Sequence, residues 1–307
     1  MPRATQFHRS IHLSHSQLIK TSPSCPVCGT HGFREPVAHV QRDPEVVLLR
    51  CPECLSCSTS HIAVPKVLDE FYRSYYGDNQ GSDGVAFHDP NRFAKHLSKW
   101  VHIESLKPKG DILRICDFGG GDGSLARAIA TQLGVDCSID VVDYSSNEIQ
   151  STDSIDIRYF SSIDATSGRY NLILASAVLE HMVDPLAILR KLFFAIEPNG
   201  FFYARTPFVL PFLRFIPSFD FLFPAHLHDF GPAFWNRAIR TFGWCANLVS
   251  SRPSIVETSL RNSPFRTSVA NAIKFPALLQ QAFQRSPDTV PLWPFVGGWE
   301  VVIQTTD

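Results

Sequence analysis

The chain has 307 residues, 44% of them hydrophobic, with 28 Lys and Arg against 29 Asp and Glu for a formal net charge of −1. That length accommodates one large α/β domain plus a small module, and the apolar content supports a sizeable core. The balanced charge removes the general basic field that bulk polyanion binding requires and leaves only local patches for such a partner.

Basic residues and no acid precede Glu35, and the first thirty residues lack the apolar core of a secretory signal. The composition is weakly similar to an organelle transit peptide, but residues 1–22 are read as a disordered lead-in. Five of the eight cysteines follow between positions 25 and 57. Cys25, Cys28, Cys51 and Cys54 stand as C-x2-C-x22-C-x2-C, close to the spacing of a zinc ribbon. A two-residue spacer lets both thiolates of a tight turn face one ion, and Gly29 can take the positive φ such turns use. Disulfides fit poorly with a chain lacking a secretion signal. Four thiolates leave no open position, so the zinc is expected to be structural. Cys57 is surplus; it either replaces Cys54 or stays free. The ribbon is assigned to residues 23–60.

Residues 61–108 read as a linker and helical lead-in. Phe71, Tyr72, Tyr75 and Tyr76 form a helix packing face before a Gly/Asp/Ser-rich break. Over residues 91–106, Phe93, Leu97, Trp100 and Ile103 (or Val101) fall on one helical stripe.

The main domain is assigned to residues 109–307. "DILRICDF" reads as a buried strand, and Leu125, Ala126, Ile129, Ala130 and Leu133 recur at helical spacing up to Gly134. Gly119, Gly120, Gly121 and Gly123 therefore occupy a strand-to-helix turn, where bare backbone suits a ligand lying on the main chain. "SIDVVDYS" is a second strand ending in Asp143, and the order implies a parallel pair with a right-handed crossover. A dinucleotide loop needs a third glycine at position 124, which is serine. Asp117, two residues before Gly119, is poorly matched to a pyrophosphate but can serve an ammonium or ordered water.

The pattern Asp117-x-Gly119-x-Gly121-x-Gly123 resembles the first motif of class I S-adenosylmethionine-dependent methyltransferases. Further similarity lies in the Leu179–His181 "LEH", Asp184-Pro185, the Pro198–Gly200 turn and the H-x-x-x-F segment from His226 to Phe230. With the ribbon in front, the resemblance covers roughly residues 25 to 250 and is to the small-molecule branch. It implies a mostly parallel seven-stranded Rossmann-like α/β sheet with one antiparallel strand, for which Gly297–Thr306 is the candidate. It implies S-adenosylmethionine as cofactor, with its amino-acid end against the glycines and its ribose hydroxyls on Asp143, next to Tyr144. Asp164 is the candidate adenine contact, with Ser162 or Ile163 as alternatives through backbone. The chain departs from the family at Tyr170-Asn171, where Phe-Asp is frequent.

His181, at the end of the fourth strand where α/β sheets collect ligands, and His226, in the covering segment, are the candidate catalytic residues. His228 is a weaker candidate, and Glu180 either orients His181 or caps the following helix. Pro207–Ala225 is apolar but holds four prolines, Arg214 and Asp220, so it is no membrane span. The phenylalanine-rich stretch 207–230 is read either as a lid lining an apolar acceptor pocket or as a hydrophobic layer packed over the sheet. The expected enzyme is cytoplasmic and methylates a small-molecule, sugar or apolar acceptor, foremost at oxygen, with carbon acceptors open. Rival readings are an RNA methyltransferase gripping RNA with the ribbon, a non-catalytic cofactor-binding platform, and a nicotinamide-dependent dehydrogenase. The ribbon's Arg34, Arg42 and Arg50 are offset by Glu35, Asp43, Glu45 and Glu53, which disfavours nucleic acid.

Overall fold

A computed structural model describes residues 10–77, 89–98, 106, 112–144, 148–216, 219–255, 263–283, 286 and 290–306. Trp100, Val101 and Ile103, the glycine-rich break after Gly77, and the side chains of Tyr75 and Tyr76 lie outside that description.

The N-terminal module has five short strands: β1 (Leu18–Lys20), β2 (Glu35–Gln41), β3 (Val46–Arg50), β4 (Cys57–Thr59) and β5 (His61–Ala63). Strand β1 pairs antiparallel with β5, and Leu13 is buried. From Leu13 onward the lead-in expected to lack structure is thus packed into the module. Two helices follow, α1 (Pro65–Gly77) and α2 (Pro90–Ser98), the second burying Phe93, Ala94 and Leu97.

The large domain begins with β6 (Leu113–Phe118), α3 (Ser124–Leu133), β7 (Cys137–Val142), β8 (Ile155–Phe160) and β9 (Tyr170–Ser176). It continues through α4 (Pro185–Phe194), β10 (Ile196–Phe208), α5 (Leu210–Phe215), β11 (His228–Asp229) and α6 (Pro232–Phe242). It closes with β12 (Ala246–Pro253), α7 (Pro264–Phe283) and β13 (Gly297–Thr305). Seven strands form one sheet in the order β12-β13-β10-β9-β6-β7-β8. Only β13 runs antiparallel to its neighbours, β10 and β12. This is the seven-stranded arrangement expected from the glycine-loop resemblance.

Local chemistry explains the central elements. Strand β6 is buried on both faces, so its side chains read as an apolar run rather than an alternation. Helix α3 buries Leu125, Ala126, Ile129 and Ala130 against the sheet and stops at Gly134, which takes φ +63 and donates its N–H to the Ala130 carbonyl. Helix α4 starts with Asp184 accepting the Ala187 N–H and Pro185 in the first turn.

The two parts share one structure. Strand β11 pairs antiparallel with β4, so His228 and Asp229 extend the ribbon's sheet to the order β11-β4-β3-β2. Phe221, Phe223 and Leu227 pack with Val46, Leu48 and Cys57 in a core of their own. The phenylalanine-rich segment is therefore largely a packing layer, seated on the ribbon as well as beside the sheet.

Candidate active site

Strand order reverses beside β6, where open α/β sheets form a ligand crevice at the carboxyl ends of the strands. A cleft of about 1620 Å³ opens there. It exceeds the ~300–1,000 Å³ of a single small-ligand pocket and so has room for two reactants side by side. The glycine loop, Asp143, Tyr144, His181 and His226 all line it.

Three loop glycines have left-handed backbones: Gly119 at φ +70, Gly121 at +58 and Gly123 at +79. Close approach adds a second constraint. A Cβ at Gly119 would sit 2.4 Å from Val178 Cγ2, and one at Gly120 would sit 2.4 Å from Asp117 Cγ. The loop is thus clamped between the end of β6 and the turn after β9. Asp117 is buried beneath it, and its Oδ2 has no hydrogen-bond partner. Burial pushes its carboxyl up to about 7. Beyond β7, Asp143 Oδ2 accepts the Gly121 N–H at 2.9 Å, which fixes that carboxylate against the loop. A buried carboxylate with one unpartnered oxygen, under a cradle that tolerates no Cβ at Gly119 or Gly120 and with a second anchored carboxylate beside it, fits a ligand carrying an ammonium and hydroxyls. S-adenosylmethionine has both.

Tyr144 is exposed at the cleft's rim. The Asp164 carboxylate instead lies 2.5 Å from Lys191 Nζ on the surface, while Ser162 and Ile163 line the cleft. The alternatives to Asp164 are therefore the residues that reach the cavity, and the Ser162 hydroxyl accepts the Asp164 N–H.

His181 and His226 come together, with ring centroids 4.9 Å apart and edge-to-face. His181 Nδ1–H donates to the Ala225 carbonyl at 2.8 Å, so Nε2 is the nitrogen that carries a lone pair. Burial lowers the pKa of His181; burial and then the neighbouring His181 ring hold His226 well below the usual range. Both rings are neutral at pH 7. Glu180 Oε1 lies 4.0 Å from His181 Nε2, too long for a hydrogen bond. His228 faces away: its Nδ1 is 2.8 Å from Ser58 Oγ and its Nε2–H donates to the Met182 carbonyl at 2.7 Å.

The turn that supports His181 is not legible in the sequence. Ala177 has φ +56, a left-handed conformation that costs a non-glycine residue energy and concentrates at functional sites. It donates its N–H to the Arg205 carbonyl, and Val178 then packs on Gly119. The run of small residues "ASA" at the end of β9, Ala175 to Ala177, was the available signal, but its meaning depends on a contact with the distant glycine loop.

In the ribbon, the sulfurs of Cys25, Cys28, Cys51 and Cys54 all lie within 4.8 Å of one another. Cys25 to Cys54 and Cys28 to Cys51 are each 3.7 Å. Sulfurs bound tetrahedrally to zinc at ~2.3 Å stand about 3.8 Å apart, so this donor set fits zinc. Cys57 is not in the cluster; it points into the ribbon's own core. Arg237 of α6 donates to the carbonyls of Pro52 and Glu53, fastening the second knuckle to the large domain.

A family model described as "Methyltransferase domain" matches residues 85–247. No curated protein matches the chain. Among solved structures, the plantazolicin methyltransferase BpumL in complex with SAH is 13% identical, with 79% of this chain and 91% of that one covered and a TM-score of 0.41. A putative sarcosine dimethylglycine methyltransferase from Galdieria sulphuraria is 17% identical, over 78% of this chain and 98% of that one, at 0.43. Coclaurine N-methyltransferase, bound to N-methylheliamine and SAH, is 13% identical over 73% of each chain, at 0.41. The fold rests on the strand order above rather than on these likenesses. With the family model spanning more than half its length, the chain belongs to the methyltransferase-domain family and is an S-adenosylmethionine-dependent methyltransferase of class I.

Proposed function

We propose that the enzyme transfers a methyl group to a hydroxyl of a small-molecule acceptor held between the glycine loop and the His181–His226 pair. The observation that carries this reading is the convergence of Asp117, Asp143 and two neutral, half-buried histidines on one cleft.

S-adenosylmethionine, when bound, supplies a methyl on a sulfonium with a good leaving group. The residues that would hold it are the glycine loop with Asp117 for its amino-acid end, Asp143 for its sugar diol, and Tyr144 with Ser162 and Ile163 around its base. A carboxylate has about four acceptor sites, and Asp143, held against the loop by the Gly121 N–H, is the group placed to take a diol. Asp164 contributes at most from the rim, through its ion pair with Lys191.

Displacement at a methyl carbon depends chiefly on holding the nucleophile in line, which supplies ~7–11 kcal/mol. A hydroxyl nucleophile also has to lose its proton. His181 suits that task because its Nδ1–H is fixed on a backbone carbonyl, leaving Nε2 to accept. His226 packs on the His181 ring and orients it or touches the acceptor directly. Phe219 and Phe221 give the acceptor end an apolar wall.

Residues 109–307 act as the catalytic domain. Residues 23–60 act as a zinc-stabilised scaffold that cannot be separated from it, because β11 completes the ribbon's sheet. The burial of Cys25, Cys51 and Cys54 in a core shared with α4 and α6 favours that role over an RNA grip. Incubation with isotopically labelled S-adenosylmethionine and a metabolite extract tests the reading. A hydroxyl compound that gains one labelled methyl is expected. Labelling confined to RNA, or cofactor binding with no labelled product, contradicts it.

A further inference from the structure

Helix α7 is built inside out. Thr267 and Ala277 are buried, and Ala270, Lys274 and Gln281 are half-buried, so a face of small and polar side chains turns toward the protein. The opposite face carries Phe265, Val269, Leu279 and Phe283, and Phe265 and Phe283 are 80% and 79% exposed. With Ala272 and Pro276 between them, these positions fall at the three- and four-residue spacing of one helical stripe. An amphipathic helix in water presents the reverse. The helix is nevertheless fastened in this orientation: Lys274 Nζ donates to the Ser254 carbonyl, and Trp293 Nε1–H donates to the Ile273 carbonyl.

We infer that α7 is an in-plane docking helix for an anionic lipid surface. Three features select that occupant. First, residues 263–283 contain no carboxylate, and the exposed charge on the helix is Arg266, which suits acidic headgroups. Second, twenty helical residues span about 30 Å, yet no described helix is long and apolar enough to cross a membrane, so the helix lies along a bilayer rather than through it. Third, the apolar surface runs on to the cleft. Trp293 contacts Phe295, Phe295 contacts Phe212 and the exposed Phe215, and Phe212 stacks at 4.8 Å on Phe219, which lines the cleft. Such a track gives an apolar acceptor dissolved in a bilayer a path to the reacting end. That last point rests on the methyl-transfer reading; the docking itself does not.

Vesicle sedimentation with the full-length, zinc-loaded protein tests the inference. It compares vesicles of phosphatidylcholine alone with vesicles containing phosphatidylglycerol. The protein is expected to pellet with the anionic vesicles and less with the neutral ones. Phe265→Ser with Phe283→Ser should lower partition at least about tenfold, since two aromatic side chains then stay out of the apolar phase. Arg266→Glu should reduce binding to the anionic vesicles alone. Both changes are on the surface, and an unchanged melting temperature confirms that the variants fold. No pelleting of the parent protein overturns the inference, as does equal pelleting of parent and double variant. A soluble dimer that the double variant converts to monomer, without vesicle binding, assigns the face to a second copy of the chain and likewise overturns it. Vesicle binding needs no turnover, so failure here leaves the methyl-transfer reading standing.

Discussion

Ser58 Oγ and His228 Nδ1 are 2.8 Å apart, and the far nitrogen of the same ring holds the Met182 carbonyl. One buried imidazole thus joins strand β4 of the ribbon to the turn that bears His181. Because Nε2–H is the donor, Nδ1 accepts from the serine, and burial lowers the ring to about 4 so that it stays neutral. His228→Ala leaves a buried hydroxyl and a carbonyl without partners and opens a cavity. A loss of about 2–5 kcal/mol is expected, against about 1 kcal/mol for Ser58→Ala. Urea denaturation checks both. If His228→Ala is as mild as Ser58→Ala, the bridge does not tie the two parts together.

Metal content separates the cysteines. One zinc per chain is expected, with Cys51→Ser or Cys54→Ser losing it and Cys57→Ser retaining it, because Cys57 lies in a different core. Chelation should lower the melting temperature of the whole protein rather than of a small separate unit, since β11 belongs to the ribbon's sheet. Elemental analysis and calorimetric melting read the two outcomes.

If Asp117 holds the cofactor's ammonium as proposed, binding is proton-linked. Its carboxyl is raised from 3.8 to about 7 by burial, so between those values the folded protein holds a proton that the unfolded chain has released. Its contribution therefore favours folding at low pH and is lost as pH rises through about 7. Asp117→Asn should stabilise the ligand-free protein at pH 8 and not at pH 4. An ammonium beside the carboxylate restores the charged form, so binding of the cofactor near pH 6 should release a proton. Titration calorimetry in two buffers of different ionisation heat measures that release, and Asp117→Asn should abolish it.

The glycine loop fails to accept a methyl group for a specific reason. Gly120→Ala drives a Cβ into Asp117, and Gly119→Ala drives one into Val178, each at 2.4 Å. Both variants should lose stability and cofactor affinity together. His181→Ala should instead lower kcat by about a hundredfold or more, within the ~10²–10⁴ of general-base catalysis, with cofactor affinity little changed. Single-turnover rates and cofactor titration separate the two classes, and a His181→Ala variant that loses cofactor affinity to the same degree would place that residue in the cofactor site.

Where local pattern determines structure, the sequence was readable. The glycine loop, α3 with its Gly134 stop, the flanking strands and the four-cysteine cluster all follow from spacing and chain order. Contacts between distant segments were not readable. Strand β11 is two residues long and has no periodicity of its own; it exists because β4, 170 residues earlier, offers an edge. Residues before Ser22 look unstructured by composition, yet β5 supplies a pairing partner for Leu18–Lys20. The placement of Asp164 depended on Lys191, and the outward apolar face of α7 depended on which side the body of the protein covers.

The most direct test is calorimetric titration of the zinc-loaded protein with S-adenosylmethionine and its demethylated product, alongside Asp143→Ala. Saturable binding of both ligands is predicted, weakened about a hundredfold in the variant as charge-assisted hydrogen bonds to a diol are lost. A folded protein that binds neither ligand, or a variant that binds as tightly as the parent, would contradict the account.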